Sequence, residues 1–459
     1  MPSHKLPATV VVILSVWSLG VNSIGVNAQN SQPDTQIASL KFTLKNFRNP
    51  SQLRGRFGLL RFSLDGRELA TLGQTRDIVI YDLQTGAAKA TLDNGNLGFV
   101  GFSFSPDGSQ VAAEDASHTR IRIFDASSGA LLREISGSGQ MEAKKAIIAD
   151  SSTGLMGLEM GDAPVSWDWK TGFVNSREGE YQMVDVGTGK VLQTLEHSEK
   201  SGRVTNFFKI MAMVSLPLPF LAGHLHLSPN GKRLLITSDN PTPTLWDCET
   251  GSLIAKLPEH KPFVAGFAFS PDSKLLATSD LSGLTRIWRA DSGELLITIG
   301  SKDEKEFLCG WSPDSHRLVT SRLRHDAKVW DVTTSDKLFS LKDSEATEVV
   351  YSPDGRYIAT YNTPNKKIMA QIWDAKNGDL VATLPRDGSE EHALRVVWSP
   401  DSKLLVTSSS DSVKLWDTSG KLMQNLENAV YPARFNSHGN LLATGGMKDT
   451  GFVWQIGRN

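Results

Sequence analysis

The sequence predicts an all-β protein, a closed ring of small antiparallel sheets. Three observations predict it. A turn signature recurs as FSLDG at Phe62, FSPDG at Phe104, LSPNG at Leu227, FSPDS at Phe269, WSPDS at Trp311, YSPDG at Tyr351, WSPDS at Trp398 and FNSHG at Phe435. About 18 to 22 residues after each comes a second mark: Tyr81-Asp82, Phe124-Asp125, Trp246-Asp247, Trp288-Arg289, Trp330-Asp331, Trp373-Asp374, Trp416-Asp417 and Trp454-Gln455. Most intervals between successive marks are 42 or 43 residues. A period of about 40 to 45 residues is that of a propeller blade.

The N-terminus stands apart. Residues 1–28 have one lysine, an apolar stretch from about Ala8 to Leu19, and a polar end at Val26-Asn27-Ala28. That is the order of a secretory signal peptide. It predicts a secreted or periplasmic protein that starts at Gln29, the alternative being a retained anchor. No other segment is long and apolar enough to span a membrane, so no membrane association is expected after cleavage. Residues 29–37 read as a flexible lead-in, and residues 38–458 as the propeller.

Each repeat unit explains its own letters. Ser-Pro-Asp-Gly is a β-turn: proline presets φ, and glycine accepts a left-handed backbone. KLLATS (Lys274–Ser279) and VKLWD (Val413–Asp417) are short apolar and β-branched strands. ETG, DSG and KNG after the mark make the next turn, and GSLIAKL (Gly251–Leu257) shows the strand that follows. Four such strands cannot bury both faces alone. The units must therefore stack, and radial stacking leaves only short, protected edges.

The region between Phe104 and Leu227 is irregular. One period beyond Phe124 lies Trp167-Asp168, in WDWKTG, which copies WDCETG at Trp246. A second echo, VDVGTG, starts at Val184. Residues 148–196 read as one degenerate blade carrying an extra hairpin, within an irregular stretch spanning about 143–218. That gives nine units, or eight blades if the degenerate region packs outside the ring. The last unit has no outer strand of its own. Ala38–Phe47 resembles the outer strand Gly420–Ala429 and is expected to supply it.

Together the turn, the Trp-Asp mark and the period resemble the WD-repeat family, in the manner of a bacterial exported member, over roughly residues 38 to 458. The resemblance implies a propeller whose faces bind other proteins, without catalysis and without a cofactor. Its structural tryptophans are expected at Trp167, Trp246, Trp288, Trp330, Trp373, Trp416 and Trp454. The family's buried His–Ser/Thr–Asp–Trp network is offered by His260, Thr278 and Trp288, with Ser282 near the place of the aspartate.

Chemistry is otherwise sparse. A net charge of −2 argues against a nucleic-acid partner. Cys248 and Cys309 are too few for a disulfide scaffold and fall in non-adjacent units. No nucleophile elbow, phosphate loop or zinc-protease motif occurs, so no catalytic or metal-binding residue is expected. Between KVLQTLE and FLAGHLHLSPNG lies a surplus apolar segment, His197–Leu218. It is either an extra packed strand or a patch that docks a partner through Phe207, Phe208, Ile210, Met211, Met213 and Leu216. The sequence thus predicts a monomeric, exported interaction scaffold, with a propeller enzyme or a ligand binder at the central channel as the alternative.

Overall fold

The computed structural model describes residues 37–44, 60–72, 76–95, 98–115, 119–137, 170–175, 181–195, 224–237, 242–258, 260, 264–280, 282–301, 307–322, 325–344, 346, 348–361, 368–385, 395–446 and 450–457. They form nine sheets and, among the described residues, no helix. Eight sheets have four antiparallel strands, here a to d in chain order; the third has three. Blade 1 runs from Leu60–Phe62 to Ala88–Leu92, and blade 2 from Phe99–Phe104 to Leu131–Ser136. Blade 3 contains Thr171–Asn175, Tyr181–Asp185 and Val191–Leu195, and blade 4 runs from His224–Leu227 to Leu253–Lys256. Blades 5 to 8 start at Val264–Phe269, Phe307–Trp311, Glu348–Tyr351 and Arg395–Trp398. Blade 9 is Ala429–Phe435, Leu441–Gly446 and Gly451–Ile456, with Ala38–Leu44 as its fourth strand.

Nine apolar clusters fill nine blade-to-blade interfaces. Ile80 and Leu92 of blade 1 meet Phe99, Phe102 and Phe124 of blade 2. The same arrangement joins blades 4 and 5 through Leu245 and Trp288, 5 and 6 through Ile287 and Trp311, and 6 and 7 through Val329 and Trp373. Ile372 and Trp416 join blades 7 and 8, and Leu415 and Trp454 join 8 and 9. Leu44, Leu441 and Val453 of blade 9 pack on Leu60 and Tyr81 of blade 1, so the ring is closed. The mark residue of each blade packs against the blade before it. Each large side chain buried there contributes roughly 2–3 kcal/mol through the apolar area removed from water.

The described part of the irregular region, residues 170–175 and 181–195, is inside the ring. Val174, Val184 and Val186 pack on Ala112, Ile121 and Ile135 of blade 2. Phe173, Met183 and Leu195 pack on Leu234, Ile236 and Trp246 of blade 4. The count is therefore nine blades rather than eight. The strand phase differs from the sequence reading. Tyr181–Asp185 pairs with both Thr171–Asn175 and Val191–Leu195, so it is strand c of the blade and not part of an extra hairpin. Val184, opposite Gly172, holds the place that the period assigned to Trp167. Trp167 itself lies outside the described residues. The Val186 amide bonds to the Lys170 carbonyl at 2.9 Å, as the Cys248 amide bonds to Lys232 at 3.0 Å. Counted back from those lysines, Ser166-Trp167-Asp168-Trp169 matches Ser228-Pro229-Asn230-Gly231. In sequence, WDWKTG thus stands where the a–b turn belongs.

The closing strand copies a native outer strand in detail. In blade 8 the register shifts between Leu415 and Trp416, with Leu422 facing Trp416 and Gln424 facing Leu415. In blade 9 Leu40 faces Trp454 and Phe42 faces Val453, with the same one-residue shift. Gln424 of blade 8 then clasps Ala38, accepting from its amide and donating to its carbonyl, both at 2.8 Å.

The a–b turns behave as their letters demand. In blade 5 the Ser270 hydroxyl donates to Asp272 Oδ1 at 2.6 Å and accepts the Leu275 amide at 2.9 Å. The fourth turn residue is left-handed: Gly66, Gly108, Gly231, Gly355 and Gly439, but also Ser273, Ser315 and Ser402. A left-handed backbone costs a serine roughly 1–2 kcal/mol. At these three places the hydroxyl accepts an amide from the preceding blade: Asn230 on Ser273 at 3.0 Å, Asp272 on Ser315 at 3.1 Å and Asp354 on Ser402 at 3.0 Å. Each bond stitches two blades together.

Candidate interaction faces and the axial wall

Because strands alternate in direction, all a–b and c–d turns lie at one end of the ring. The b–c and d–a connections lie at the other. The first end is uniform. Its c–d turns are closed by an aspartate that takes up local donors: Asp125 Oδ1 accepts the amides of Ser127 and Ser128 at 3.0 and 2.8 Å and their hydroxyls at 2.6 and 2.8 Å. Those hydroxyls hold its pKa down at about 2. Asp82 and Asp185 are lowered by the same device, led by Thr85 and Thr188. These carboxylates are spent on turn geometry. Blade 5 has Arg289 in that place, and its guanidinium pairs with Glu294 at 3.1 Å instead. At the opposite end, connections range from Glu427-Asn428 between blades 8 and 9 to the long run from Leu195 to His224.

Between the two ends runs an arc of indoles, buried except for the half-buried Trp330. Trp Nε1 donates to a strand-b threonine in five blades: Trp288 to Thr278 at 2.8 Å, Trp330 to Thr320 at 2.7 Å, Trp373 to Thr360 at 2.8 Å, Trp416 to Thr407 at 2.9 Å and Trp454 to Thr444 at 3.0 Å. These residues serve packing and hydrogen bonding. Trp246 has Ile236 in the threonine's place and donates to Thr244 of its own strand at 2.9 Å. Thr278 also bonds the fully buried His260 Nε2 at 2.9 Å. Ser282 donates its amide at 2.9 Å, and its hydroxyl, to Asp280, whose other oxygen pairs with Arg286 at 2.8 Å. Asp280 is fully buried, yet sequence reasoning missed it because it lies two residues before the expected place.

Two stretches, residues 251–289 and 378–417, match the family model described as WD domain, G-beta repeat. They cover the blade 4–5 and blade 7–8 repeats. The chain is a nine-bladed β-propeller that carries WD-repeat sequence in those two stretches. No curated protein matches its sequence. Among solved structures, a computationally designed protein called Ika8 is similar, with a TM-score of 0.51 and 17% identity, over 80% of this chain and 99% of that one. At that identity the likeness concerns the fold alone. WD-repeat propellers typically serve as interaction scaffolds rather than enzymes.

The a strands line the axis of this propeller, and the d strands form its rim. Neighbouring a strands touch: Trp311 Nε1 donates to the Ala268 carbonyl at 3.1 Å, and Trp398 Nε1 to Val350 at 3.2 Å. The d strands instead expose Leu131, Leu253, Leu295, Leu380 and Leu422. On the axial wall the His226 ring lies against Phe267, with centroids 3.7 Å apart. Arg395 donates to the Tyr361 hydroxyl at 2.9 Å. Arg61 and Arg434 both reach the Leu60 carbonyl, at 3.4 and 3.1 Å. Among the described residues no three His, Cys, Asp or Glu side chains converge to hold a metal. Cys248 is buried in the core between blades 3 and 4. The candidate docking residues Phe207, Phe208, Ile210, Met211, Met213 and Leu216 lie outside the described residues.

Proposed function

We propose that this propeller is an exported, non-catalytic scaffold that binds other proteins as a monomer. The observation that carries the reading is the contrast between the two ends of the ring. One end repeats a single turn design, with its polar groups taken up locally. The other end varies in length and composition from blade to blade, as a recognition surface requires. The leader of residues 1–28 supports export. The surplus apolar segment His197–Leu218, which in sequence joins blade 3 to blade 4, is the docking element.

The experiment replaces Ser201–Leu218 with a short Gly/Ser linker and uses parent and variant as baits against the host's exported proteins. A partner captured by the parent and lost by the variant, with the melting temperature unchanged, supports the reading. A destabilised variant that still captures the partner rules this segment out as the docking element. Intact mass of the protein recovered from its host tests export: a chain starting at Gln29 agrees, and a full-length cytoplasmic chain contradicts it.

A further inference from the structure

We draw no further inference here: the strongest candidate, the band of exposed leucines that the outer strands carry around the rim (Leu131, Leu253, Leu295, Leu380 and Leu422 among them), is an apolar surface, and nothing in the structure shows what covers it.

Discussion

Blades 3 and 5 do the same job with different chemistry. Blade 5 has a polar centre, in which Thr278 accepts from Trp288 and bonds His260. Blade 3 has Val184 where the tryptophan would be and Val174 where the threonine would be, and both are buried in valine-rich packing. Blade 2 follows blade 3, with Phe124 opposite Val111 and Ala113 in the threonine's place. Blade 1 lies between them: it pairs Tyr81 with Leu69 and retains Thr71, whose hydroxyl works against the burial that raises the tyrosine's pKa. In these three blades and the five with an indole–threonine bond, the threonine is present where the aromatic side chain is polar, and absent where it is not. A buried hydroxyl without a partner costs about 1–3 kcal/mol, whereas replacing both partners with apolar groups can be nearly neutral. The polar network is thus one way to fill an interface that apolar packing can fill alone. What the blades share is their place in a closed ring.

The largest expected effect comes from opening that ring, on which both kinds of blade depend. A chain starting at Gln52 lacks the closing strand and leaves the edge of Gly451–Ile456 unpaired. It should lose more stability than any single substitution below, and it should aggregate. Chemical denaturation with light scattering measures both. A truncated chain that melts like the parent would show that blades 1 and 9 are held by other means.

Next in size is a direct exchange of chemistry. Thr278→Val strands the buried Trp288 indole N–H, removes the His260 bond as well, and should cost about 2–4 kcal/mol. The double change Thr278→Val, Trp288→Phe should cost clearly less than the sum of its parts. In blade 3, Val174→Thr should destabilise by about 1–3 kcal/mol, because Val184 offers the new hydroxyl nothing. Additive losses in blade 5 would break the comparison.

A smaller effect separates turn from core. Asp185 is lowered in blade 3 just as Asp125 is in blade 2, although both blades have lost the aromatic donor. The folded-state pKa of Asp125, about 2, lies below its ordinary 3.8. Its contribution is therefore present above pH 3.8 and lost as pH falls towards 2. Asp125→Asn should flatten the acid limb of stability in that window, with its loss of stability present at neutral pH and vanishing as pH falls towards 2. A pH-stability profile checks this.

The smallest effect is expected at the stitches. Ser402→Gly removes backbone strain but also the bond from Asp354, so the net change should stay within about 1 kcal/mol. Amide exchange at Asp354 should nonetheless quicken, which distinguishes a lost stitch from an unchanged one.

How legible the molecule was in its sequence follows the range of each interaction. Turns, marks and the closing strand are written in local residue types, and Ala38–Leu44 carries its pattern even to the register shift at Leu40. The phase of blade 3 was misread because WDWKTG imitates a mark, while Val184-Asp185 has lost its tryptophan. Asp280 and Arg286 were passed over because the aspartate sits off its usual position. Arg61 and Arg434 come together only when the first and last blades meet, a proximity that no local pattern signals. The docking candidates rest on composition alone.

The most direct test of the account is an image of the ring viewed along its axis, from electron-microscopy class averages or an experimental density map. The account predicts nine blades, with residues 171–195 forming one of them between blades 2 and 4. Eight blades, with that region packed outside and blade 2 touching blade 4, would contradict it.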